Sequence, residues 1–207
     1  MTNINEFEIS KNVLKKYNGI NKDLVIPDGV KRIGDSAFEN YGDLTSIVIP
    51  NSVTVIGDSA FTYCDGLTDV TIPDSVTSIE DSAFQYCKKL SYINIPDGIK
   101  IIRDSVFENC ENLAEITIPN SVTIIEDFAF NYCKSLTKAD IPNGVKSIGA
   151  FAFGHCEKLT DVSIPDSVTS IGDCAFDECY KLTLVVGKCS YAETYAKKNG
   201  INFKIAD

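Results

Sequence analysis

Hydrophobic positions in this chain recur in a fixed word. From Leu44 the sequence reads LTSIVIPNSVTVIGDSAFTYC. Ile47 and Ile49 are two apart, so they share one face of a strand, while Ser46 and Val48 share the other. Pro50 has no N–H for a ladder and ends the strand. Asn51 then suits a tight turn in which its side chain satisfies nearby backbone groups. Val53 and Ile56 turn inward again on an extended return segment. Gly57-Asp58-Ser59 reads as a helix start with Asp or Ser as N-cap, so Ala60, Phe61 and Cys64 face inward from a short helical turn.

The word repeats every 23 residues. Proline marks the step at Pro27, Pro50, Pro73, Pro96, Pro119, Pro142 and Pro165, and phenylalanine keeps it from Phe38 to Phe176. Leucine keeps it from Leu44 to Leu182, and cysteine from Cys64 to Cys179, with Tyr41 in the first place of the cysteine column. One such unit cannot bury its apolar face alone, so successive coils must stack and cover each other. The pattern predicts an α/β-type repeat solenoid. A parallel sheet lines the concave face of a curved body, and short helical or extended segments lie on the convex side.

Residues 21–189 hold seven repeats. Residues 1–20 leave the pattern and read as an N-terminal cap, with two short strands around Ser10-Lys11-Asn12 and with Phe7, Ile9, Val13, Leu14 and Tyr17 to close the first coil. Residues 190–207 read as a helix–strand cap. Ser190-Tyr191-Ala192-Glu193 is a capping box, and Gly200 is a helix stop. All three parts make one domain.

The pattern L-x-x-I-x-I-P…V-x-x-I-G-x-x-A-F-x-x-C resembles the BspA-like leucine-rich repeats, a 23-residue class. Departures are local: Glu80, Arg103 and Glu126 stand in the column of Gly57, and coil six reads GAFAF. The resemblance implies adhesion or protein binding, as in a family common on the surfaces of bacteria and of some parasitic protists, with a bacterial source expected and no catalytic residues in the repeat.

Composition narrows the partners. The chain has 207 residues, 44% of them hydrophobic, and a net charge of −10. That acidity argues against nucleic acid, which needs a basic patch. No run approaches the roughly 20 apolar residues of a membrane span. The N-terminus lacks the pattern of a signal peptide. A chain complete as given is therefore expected in the cytoplasm, and a trimmed one at the cell surface or secreted. The repeating cysteines are expected to be free buried thiols, since side chains on stacked coils run parallel and bridge poorly. Cys174 and Cys189 lie off the column.

No nucleophile–base pair, phosphate loop or metal-ligand spacing stands out, so neither catalysis nor a cofactor is expected. The lone His155 is adjacent to Cys156, but neighbours on a helical turn do not face each other. The Asx column after proline is half neutral, which argues against a calcium row. The outward strand positions vary between coils while the inward ones do not. Asp69, Tyr92, Glu115, Lys138 and Asp161 form one such row, and Asn94, Thr117 and Asp140 belong to the next, which begins with Val25 and Val48. These eight are the candidate ligand-binding residues, for a protein partner of unknown identity. A second candidate is an apolar patch of Ile101, Ile124, Phe128 and Phe151, in columns otherwise held by Arg, Val, Ser or Cys. It would serve self-assembly, as in a homodimer.

Overall fold

The computed structural model describes residues 4–206. It is a β-solenoid of short strands and turns, with one α-helix, Tyr191–Asn199, in the C-terminal cap. We number the coils one to seven by their prolines. Before proline, strands run at Asp23–Val25, Ser46–Val48, Asp69–Thr71, Glu115–Thr117, Lys138–Asp140 and Asp161–Ile164, continued by Thr183–Val186. After proline each coil adds a two-residue strand, such as Arg32–Ile33 and Val55–Ile56. Neighbours pair in parallel, one repeat apart: Ser46 lies against Asp69, and Ile33 against Ile56. The inward columns form one continuous core. Phenylalanine rings from Phe38 to Phe176 stack at centroid distances of 5.1–5.8 Å. Each such pair contributes about 0.5–1.5 kcal/mol beyond its buried area.

All eight cysteines are free, and the five from Cys64 to Cys156 are buried. Each column thiol donates to the carbonyl of the phenylalanine in the coil before, as from Cys133 Sγ to Phe107 O at 3.3 Å. Burial pushes the thiols of Cys64 and Cys110 up to about 12, and those of Cys87, Cys133 and Cys156 are also raised. Coil one has no preceding coil of this kind. There Tyr41 replaces cysteine, and its Oη donates to Asn21 O at 2.8 Å.

The helical turn expected on the convex side does not form. In coil one the amides of Ala37, Glu39 and Tyr41 close tight turns on Gly34, Ser36 and Phe38, at 3.2, 3.1 and 3.0 Å. The alternate amides, of Ser36, Phe38 and Asn40, donate at 2.8 Å to Asp58, Ala60 and Thr62 of the next coil. A helix would send every amide to its own turn and leave the neighbouring coil's carbonyls unpaired. The alternating arrangement needs left-handed backbone at Ser36 and Asn40 (φ 55° and 61°) and at the equivalent positions of the other coils. Asparagine accepts this readily, while serine carries the ordinary cost of a side chain there. Phe128 and Phe151 adopt it too (φ 54° and 52°), at about 1–2 kcal/mol each.

The Asx turns also differ from expectation. Backbone bonds close them, as from Val53 N to Pro50 O at 3.0 Å, and the side chains of Asp28, Asn51 and Asp74 stay exposed. At the N-terminus, antiparallel strands Phe7–Ser10 and Val13–Tyr17 meet at Lys11 and Asn12, both left-handed. Phe7, Leu14 and Tyr17 are buried, whereas Ile9 falls on the outer face and is exposed. In the C-terminal cap Ser190 Oγ accepts from Glu193 N at 3.1 Å, while Glu193 Oε2 accepts from Cys189 N rather than from Ser190.

Both sheets part between coils three and four. Among the described residues, the amides of Ser91, Lys100 and Arg103 lack the bonds that Thr68, Thr77 and Glu80 make to the coil before. The core shows why. Coil four carries Ile99 where every other coil has Val, and Val106 where every other coil has Ala. The added carbons hold coil four off coil three. Phe84 and Phe107 are 5.8 Å apart, against 5.1 Å for Phe61 and Phe84. A void too narrow for water opens beside Ile79, Ile99, Ile102 and Val106. The convex turns stay joined, with Phe84 N donating to Val106 O at 3.0 Å. On the strand side, the carboxamide of Asn94 takes the place of a rung. It donates to Ile72 O at 2.7 Å and accepts from Ile72 N at 3.0 Å.

Candidate functional site

The strands before proline present their outward side chains in straight rows, because parallel pairing keeps residues one repeat apart side by side. One row runs Asp23, Ser46, Asp69, and resumes beyond the break as Glu115, Lys138, Asp161. The adjacent row runs Val25, Val48, Thr71, and resumes as Thr117, Asp140, joined by a bridge from Asn94. Pairing sets every candidate residue on one face except Tyr92, which lies on no strand in coil four. Seven of the eight are exposed, while Asn94 is half-buried and its amide is committed to Ile72.

The two ends of this face differ. Towards the C-terminus Asp140 and Asp161 are matched by lysines, while Glu115 has no ion pair among the described residues. Lys138 Nζ lies 2.7 Å from Asp140, whose carboxylate raises the lysine's pKa, and Lys204 Nζ lies 3.0 Å from Asp161. Lys204 comes from the cap strand Asn202–Ile205, which pairs with Thr183–Val186 and extends the face. Towards the N-terminus, Val25 and Val48 are each 57% exposed, and Tyr92 is 61% exposed. The hydroxyls of Ser46 and Thr45 hold Asp23 below the usual carboxylate range. Two shallow grooves of about 500 Å³ each flank Val48, one beside Asp69, Thr71 and Asp74, the other beside Val25, Asp28 and Asn51. Sequence reasoning placed Val25 and Val48 in the right row but weighed only its polar members. Lys204 lay outside the repeat and gave no periodic signal.

The apolar candidates fall on two elements. Ile101 and Ile124 pair on the strands after proline, and Phe128 and Phe151 stack on the convex turns at 5.4 Å, with ring planes 3° apart. All four are half-exposed. His155 sits in a left-handed turn position and stacks on Tyr132 at 4.1 Å. Cys174 lines a 350 Å³ cavity between coil seven and the cap helix. Among the described residues, no three His, Cys, Asp or Glu side chains are placed to hold a metal ion, and no helix is long and apolar enough to cross a membrane.

The BspA type Leucine rich repeat region, as a sequence family, matches residues 7–137 and 123–197 in six copies. The chain belongs to the BspA-type leucine-rich repeat family. Solved leucine-rich repeat proteins resemble it. A leucine-rich repeat protein from T. pallidum is 28% identical and superposes with a TM-score of 0.84, over 98% of this chain and 97% of that one. A protein from Eubacterium ventriosum is 28% identical, with a TM-score of 0.74 over 86% of this chain and 51% of its own. One from Bacteroides ovatus is 26% identical, with a TM-score of 0.61 over 89% and 61%. No curated protein matches the sequence. A BspA-type repeat protein is a stacked scaffold.

Proposed function

We propose that this protein is a non-catalytic binding scaffold that docks a protein partner on its strand face. One observation carries the reading: two rows of varied, exposed side chains stand on strands whose backbone is already paired between neighbouring coils on either side of the break. Little backbone ordering is then needed on docking, so the entropic cost of binding stays low. The face is acidic and favours a partner with basic groups, through faster encounter. The test is partner capture with Asp69, Glu115, Asp140 and Asp161 jointly replaced by Ser. Binding that persists unchanged would sink the reading.

A second reading rests on the Phe128–Phe151 pair. Two aromatic rings occupy strained positions that serine fills in four other coils, and they remain half-exposed. Such a pair suits self-association. Light scattering separates the two: a dimer that Phe128→Ser converts to monomer supports assembly, and a monomer at all concentrations rejects it.

A further inference from the structure

The strand-face reading treats all coils alike, but the side chains do not. We infer that the binding segment of the face is its N-terminal half, coils one to four, and that its ligand is an extended peptide segment bearing apolar side chains flanked by lysine or arginine. This rests on the strand-face reading and narrows it.

Three observations point the same way. First, the apolar groups exposed on these rows lie in this half, namely Val25, Val48 and Tyr92. Val25 and Val48 form a ridge on paired strands, and Tyr92 stands two coils further on, beyond the break, so the three together span about 14 Å at a spacing of ~4.8 Å per coil. A segment of about four or five extended residues spans that length. Second, the ridge is bordered by grooves on both sides of Val48, so a ligand side chain has depth to enter. Third, the acidic groups bordering it, Asp28, Asp69 and Asp74, have no cationic partner among the described residues. Lys22, which precedes Asp23 in the chain, is turned to Asp43 at 3.1 Å. In the other half, Lys138 and Lys204 already neutralise Asp140 and Asp161. A basic ligand at those two carboxylates has to displace an existing ion pair, which leaves Glu115 as the one unpaired carboxylate of that half's rows. Over coils one to four it meets unmatched charge beside exposed apolar surface. Anionic surfaces and nucleic acid are repelled by the same carboxylates.

The experiment titrates the isotope-labelled full chain with a short blocked peptide alternating lysine and leucine, and in parallel with one alternating glutamate and leucine. Amide shifts are expected at Val25, Val48, Asp69 and Tyr92 with the lysine peptide only. Val25→Thr with Val48→Thr, both on exposed positions, is expected to weaken binding about tenfold. Asp69→Asn with Asp74→Asn is expected to weaken it about threefold to tenfold and to flatten its salt dependence. Asp140→Asn with Asp161→Asn should leave the affinity within about twofold. Equal binding of the glutamate peptide, or no binding of either, overturns the proposal. Shifts on coils five to seven, lost with Asp140→Asn and Asp161→Asn, also overturn it but leave the strand face as the docking surface. A ligand that moves no strand amide removes both readings.

Discussion

Trimming the core of coil four to the repeat's own residues, Ile99→Val with Val106→Ala, should close the break between coils three and four. The change deletes three carbon atoms from buried positions, and by area alone it costs about 2.4 kcal/mol at ~0.8 kcal/mol per carbon. Two gains oppose this. Relief of an overpacked core contributes about 1–3 kcal/mol. Re-forming the rungs from Ser91, Lys100 and Arg103 to Thr68, Thr77 and Ile79 contributes about 0.5–1.5 kcal/mol each. The gains exceed the loss, so the variant should be as stable as the parent or more so, by up to a few kcal/mol. Amide hydrogen exchange is the sharper assay, since a stacked-repeat protein can open locally without unfolding as a whole. The amides of Ser91, Lys100 and Arg103 should gain protection while those of coil six are unchanged. The reverse pair in coil five, Val122→Ile with Ala129→Val, should cost about 1–3 kcal/mol and expose the next junction. A trimmed variant that loses about 2.4 kcal/mol by urea titration, with those three amides still exchanging freely, refutes the wedge.

Thiol labelling at neutral pH should modify Cys174 and Cys189 quickly, Cys179 slowly, and the five buried cysteines only on unfolding, as mass spectrometry can count. Burial raises the thiols of Cys64 and Cys110 from near 9 to about 12 and that of Cys87 well above its ordinary value, so the folded state holds protons that the unfolded state releases. Their contribution to stability is complete below pH 9 and is lost as pH rises towards about 12, which urea midpoints across that range will show. Replacing Cys133 by Ala in this background should reduce the alkaline loss and cost about 1 kcal/mol at neutral pH, because Phe107 O loses its thiol donor. Phe128→Ser should cost about 0.5–1.5 kcal/mol, the worth of the lost ring stack, since serine meets the same left-handed backbone there; a loss above about 3 kcal/mol by thermal unfolding would show that Phe128 does more.

The core was legible because each inward column needs only burial, and the need recurs once per period. Phe61, Cys64, Ile56 and Val53 could be assigned inward from spacing alone. The convex turns were misread because Gly57-Asp58-Ser59-Ala60 has the local chemistry of a helix start. The outcome depended on carbonyls of the next coil, about 22 residues away in the chain. The Asx column was misread for a related reason: the proline carbonyl accepts the valine amide, and the side chain is left over. Val25 and Val48 were visible in their row, but their importance depends on the unmatched carboxylates beside them. Lys204, which offsets Asp161, reaches the face only through pairing of the cap strand.

By itself, the sequence determined the period, the stacking, the apolar spine and the rows that face outward. These follow from composition at fixed intervals, and a repeat of 23 residues satisfies them at every coil. Only the tertiary structure decided which amides bond along the axis and which within a coil, where coil four's larger side chains part the sheets, and which carboxylates meet a lysine. Those outcomes depend on packing volume and on partners brought together by stacking, and no single repeat contains either.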